Sequence, residues 1–95
     1  MNAVPEDVRS LPGAELIARG LTDLEARRET TEALLVSIGA PRLRSLGYEV
    51  SSPFDSPEHR LYLQLAREKG NAAHSAYNAL IRRLVSFERA AQCAT

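Results

Sequence analysis

Arg67 and His74 are the two side chains whose types and spacing come closest to a catalytic pair. An arginine can stabilise the charge that builds on a phosphorane while a histidine transfers a proton, the division of labour that metal-independent phosphodiester cleavage needs. The second histidine, His59, is distant in sequence, and neither histidine has a cysteine or another histidine at ligand spacing, so no metal site and no cofactor is expected. A glycine-rich phosphate loop, a nucleophile elbow and a paired-carboxylate signature are all missing from the sequence. Glu25, Glu29 and Glu32 share helical faces but alternate with Arg27 and Arg28, the pattern of a surface laced with salt bridges. Arg42 with Arg44 and Arg82 with Arg83 are short basic pairs on mixed surfaces, and the lone Cys93 excludes an internal disulfide.

Two local patterns resemble known families. The run Leu65-Ala66-Arg67-Glu68-Lys69-Gly70, followed by the polar positions His74, Ser75, Asn78 and Arg82, resembles a DNA-binding helix-turn-helix. In that motif a small residue four before the turn glycine lets the second helix pack closely, and Ala66 with Gly70 has this spacing. The resemblance implies a groove-reading second helix with Arg67, His74, Ser75, Asn78 and Arg82 as nucleic-acid contacts. It departs from the motif where Lys69 and Asn71 flank the glycine and where the inward positions are the small Ala76 and Ala79. The pair Arg67 and His74 resembles the arginine and histidine signature of the HEPN helical ribonucleases, in which two protomers bring these side chains together on RNA. Gly70-Asn71 falls between the two residues here, which moves Arg67 onto a different helix from His74.

The chain that must position these residues is 95 residues long, enough for one domain with one modest core. Hydrophobic residues make up 44% and charged residues 25%, which excludes a disordered or fibrous chain. Twelve basic side chains balance twelve acidic ones, so no global field draws the molecule to nucleic acid or to an anionic membrane. No apolar leader or membrane-length apolar run stands in the sequence, and the single thiol suits a reducing compartment, so the expectation is a cytoplasmic protein without membrane contact.

Spacing predicts an all-α fold, a small bundle of four to five helices ending in a helical hairpin, with residues 1–9 as a tail. Ser10 is expected to cap a first helix over 12–28, in which Leu16, Ile17, Gly20, Leu21 and Leu24 share a face and Gly20 marks a close crossing. Thr30 or Thr31 caps a second helix carrying Leu34, Leu35, Ile38 and Leu46, which Gly39-Ala40-Pro41 bends or splits and Gly47 ends. Residues 48–56 read as a loop in which Tyr48 and Val50 allow a short extended stretch. Ser56-Pro57-Glu58 starts a third helix over 57–69, and after Gly70-Asn71 a fourth runs over 72–92. Its face is Ala73, Ala76, Tyr77, Leu80, Leu84, Phe87 and Ala91.

The chain has more apolar side chains than one such core needs. Ile81 and Val85 lie about 80–120° from the centre of the last helix's main face, and Leu63 points away from Leu61 and Leu65. A wide apolar face on a short chain is most simply covered by self-association. The expectation is therefore a non-enzymatic interaction or regulatory module that pairs with itself, and possibly with another protein. Leu63, Ile81 and Val85 would form the contact, with His74, Asn78 and Arg89 as a polar rim.

Overall fold

The computed structural model describes residues 11–94, so the tail and the Ser10 cap expected from the sequence lie outside the described residues. Five α-helices follow in order: α1 (Ala14–Glu25), α2 (Thr31–Ile38), α3 (Ala40–Ser45), α4 (Pro57–Lys69) and α5 (Ala73–Ala94). One 3-10 turn, Gly70–Ala72, joins the last two into the C-terminal hairpin, and no strand forms among the described residues. Tyr48 and Val50 make no ladder, yet Val50 is buried and Tyr48 stacks against Phe87 with ring centroids 5.8 Å apart.

α2 lies at the centre, touched by α1, α3, α4 and α5. Its residues Ala33, Leu34, Leu35, Val36 and Ser37 are all buried, which is the burial of a core helix rather than an amphipathic surface one. α1 offers it Ile17, Leu21 and Leu24; α4 offers Leu61 and Leu65; α5 offers Leu84, Phe87 and Ala91. The closest approach is at Gly20, where a β-carbon would stand 2.4 Å from the Glu32 carbonyl oxygen and 2.6 Å from Val36 Cγ1. Only a hydrogen fits there.

The helix ends follow from local chemistry. α1 stops at Glu25 rather than at Arg28, because Arg27 takes a left-handed φ of 59° and Arg28 folds back on Asp23. The Asp23 carboxylate accepts from Arg28 Nε at 3.1 Å and Nη2 at 2.9 Å, and from Thr30 Oγ1 at 2.8 Å. Thr30 also caps α2, its hydroxyl accepting from the Ala33 amide at 3.1 Å. One carboxylate thus closes the α1–α2 corner. Hydrogen bonding from Thr30, followed by Arg28, holds its carboxyl below the ordinary aspartate range in spite of burial.

Pro41 splits α2 from α3, as its missing amide requires. Gly47, with φ 100°, ends α3 in a Schellman motif in which Tyr48 N–H donates to the Leu43 carbonyl and Gly47 N–H to that of Arg44. The start of α4 departs from expectation. Ser56 itself adopts a left-handed φ of 47° and its hydroxyl makes no cap bond, so Pro57 in the first turn and Glu58 set the boundary. The loop before it is pinned by arginines: Arg44 donates to the Val50 carbonyl and Arg27 to that of Ser52, while Phe54 N–H donates to Ser37 Oγ. Arg27 also lies 4.5 Å over the Phe54 ring, so it clamps the loop instead of joining a surface salt-bridge array. Among the described residues, Arg28 pairs with Asp23 and Arg60 with Glu29.

Two outcomes are expected. Gly20→Ala destabilises the fold by about 2 kcal/mol or more, the upper range for overpacking, because backbone and not a flexible side chain blocks the methyl; Gly47→Ala, with open space around it, costs only about 1 kcal/mol of backbone strain. Urea titration of both variants checks the contrast. Asp23 contributes stability that is present above about pH 4, the unfolded aspartate pKa, and is lost as pH falls through its lowered native value. Asp23→Asn therefore melts lower than the parent at pH 7, and the gap narrows by pH 2.5 in thermal denaturation.

Candidate interaction surface

Leu61 and Leu65 turn one side of α4 into the core, and Tyr77, Leu80 and Leu84 do the same for α5, so the hairpin rests on α2 and presents an outer face. By the 100° step per residue, that face collects Tyr62, Leu63 and Ala66 from α4 and His74, Asn78, Ile81, Val85 and Arg89 from α5. Tyr62 and Leu63 are the large apolar side chains left exposed among the described residues, at 40% and 42%. Ile81 is half-buried and packs on the core, Val85 is half-buried, and Arg89 is exposed on the rim.

Tyr62 joins the two helices. Its ring centroid lies 5.8 Å from that of Tyr77 and 6.5 Å from that of His74, eight residues before Gly70 and, for Tyr77, seven after it. His74 Nε2 is 3.2 Å from Asn78 Nδ2, so two of the three expected rim residues meet each other, and His74 also meets Tyr62. Burial, with the negative charge of Glu58, raises the Tyr77 hydroxyl above the ordinary tyrosine range. Spacing did not single out Tyr62. The signal was there: it stands about 100° from Leu61, toward the seam with α5, and a tyrosine can be apolar on one side and wet on the other.

The residues of the two family resemblances are distributed as follows. Arg67 is exposed near the end of α4 and His74 is exposed in the first turn of α5, with the 3-10 turn between them, so the pair spans two helices. Ser75 and Arg82 are exposed and Asn78 is half-buried on α5; Ala66, Ala76 and Ala79 are half-buried, Ala66 and Ala76 against the core. His59 meets solvent and Cys93 is exposed. Among the described residues no cluster of three acidic, histidine or cysteine side chains could hold a metal, and no helix is long and apolar enough to cross a membrane. An open depression lined by Arg19, Thr22, Asp23, Arg28, Thr30 and Glu32 has its carboxylate at Asp23 already committed to the corner described above.

Glu88 escaped the sequence reading altogether. It is buried on α5, where Gly39 leaves room for it: a β-carbon there would stand 3.0 Å from Glu88 Oε2 and 2.9 Å from Leu84 Cδ1. Arg42 supplies the nearby positive charge and donates to Gln92 Oε1. No family model matches this chain, and no curated protein and no solved structure gives a match.

Burial raises the Glu88 carboxyl above the ordinary glutamate range against the pull of Arg42. A raised native value means that the group favours folding only below the unfolded glutamate pKa, about 4.3, and opposes it as pH rises through the native value. Glu88→Gln should accordingly melt higher than the parent at pH 7, with the difference shrinking toward pH 4. A lower melting temperature at pH 7 would mean that the Arg42 attraction outweighs burial.

Proposed function

We propose that this chain is a non-enzymatic helical interaction module that works by self-association through the outer face of the α4–α5 hairpin. The observation that carries this reading is the adjacent exposure of Tyr62 and Leu63 on α4, with half-buried Ile81 and Val85 on the neighbouring α5. Full burial of such a side chain contributes about 1.5–3 kcal/mol, so covering the remaining 40% of two of them, with the flanks of two more, supplies a few kcal/mol per copy. His74, Asn78 and Arg89 form the polar edge that a specific interface needs. Among the described residues, the groups whose pKa values are displaced, Asp23, Tyr77 and Glu88, have different partners.

Sedimentation equilibrium tests the reading. The parent chain is expected to dimerise in the micromolar range. Leu63→Asp combined with Val85→Asp should sediment as a monomer while keeping its helical circular dichroism, since neither side chain is fully buried. A parent that remains monomeric at several hundred micromolar would reject self-association.

A further inference from the structure

We infer that the outer face of the α4–α5 hairpin takes an acidic amphipathic helix of another protein, whose carboxylates meet Arg82 and Arg89 while its apolar side covers Val85 and Tyr62. This rests on the reading above that the face binds, and it names a second occupant that displaces the second copy. Charge carries the argument. α4 and α5 together hold six arginine or lysine side chains and three glutamates, and none of the glutamates lies on the outer face. Glu88 is buried, Glu58 lies toward Tyr77, whose hydroxyl feels its charge, and Glu68 shares the side of Leu61 by the 100° step per residue. Arg82 and Arg89 are both exposed on that face, and among the described residues no carboxylate pairs with either. By contrast, Arg27, Arg28, Arg42, Arg44 and Arg60 each donate to an oxygen of the same chain.

A second copy cannot supply what is missing. A two-fold interface sets one patch against itself, so a face without carboxylates meets another without them, and Arg82 and Arg89 stay unpaired whichever way the copies run. An acidic partner satisfies both and is steered to the face by their charge. Periodicity sets the partner's shape. Arg82 and Arg89 are seven residues apart, about 10.5 Å along α5, and Val85 stands between them, within about 60° of each around the helix. Carboxylates seven residues apart on a facing helix, with an apolar side chain between them, repeat that spacing. An extended segment fits less well, because its backbone amides and carbonyls need a sheet edge to pair with, and the described residues form no strand. A nucleic-acid backbone would meet the arginines yet bring no apolar side to Val85.

Fluorescence anisotropy with two labelled peptides tests the assignment. Each is a helix-forming sequence of about 15 residues with leucines along one face; the first carries glutamates seven residues apart beside the leucines, and the second has glutamine in their place. The glutamate peptide should bind the parent chain at least about tenfold tighter at low salt, and the advantage should shrink at about 1 M salt. Arg82→Gln combined with Arg89→Gln should lose about tenfold in affinity with its helical circular dichroism unchanged. Arg83→Gln, on the side of α5 that meets Gly13, should stay within about twofold of the parent. Equal affinity for the two peptides, equal loss from Arg83→Gln, or a single-stranded oligouridylate of the same charge binding as tightly as the glutamate peptide overturns the acidic helix. A parent that sediments as a dimer and binds neither peptide also overturns it and leaves self-association standing. A parent that stays monomeric and binds only the glutamate peptide rejects self-association and upholds the acidic partner.

Discussion

The approach of α1 to α2 at Gly20 is the constraint on which the rest of the structure depends. With only a hydrogen between the α1 backbone and the Glu32 carbonyl, the two helices come close enough for Ile17, Leu21 and Leu24 to reach the buried run of α2. A side chain there would force the helices apart and loosen the contacts of every element that uses α2 as its base. The Asp23 carboxylate secures the same crossing from its end, by tying Arg28 and the capping Thr30 into one corner.

Because α2 is consumed on all sides, little of it is left to do anything but pack. The binding role is proposed for the hairpin because it keeps Tyr62 and Leu63 exposed. α4 and α5 each bury one side against the core, and the ring contacts of Tyr62 with Tyr77 and His74 close the seam between them. The same tyrosine stays two-fifths exposed. A large side chain that is both a seam residue and a surface residue costs hydration on one face unless something covers it, and this links the packing of the hairpin to the binding role proposed for it.

The loop between α3 and α4 shows how a chain without disulfides orders an irregular segment. Three carbonyl or amide groups of residues 50–54 are held by Arg44, Arg27 and Ser37, and Arg27 also covers the Phe54 ring. These contacts come from the corner after α1 and from α2 and α3, so the loop reports on the assembled core and fixes where α4 begins. Left-handed Ser52 and Ser56 are tolerated in it for that reason.

Periodicity and punctuation were enough to determine a helical chain, a break at Gly39-Ala40-Pro41, the left-handed end at Gly47, a threonine cap on α2, the span of α4 and the close crossing at Gly20, but not the choice of Thr30 over Thr31, a split over a bend, or the end of α1 at Glu25. Each of these is a local property, fixed by a missing amide, a missing side chain or an apolar repeat. The tertiary structure alone decided where the polar side chains go. Arg27 became a loop clamp, Ser56 lost its capping geometry, Ile81 settled against the core, and Tyr62 stood out beside Leu63. Glu88 went inside because Gly39, far away in sequence, left space on a different helix. A one-dimensional pattern states which side of its own helix a residue occupies, but whether that side meets a neighbour or water depends on how the helices cross, and side chains distant in the chain set those crossings.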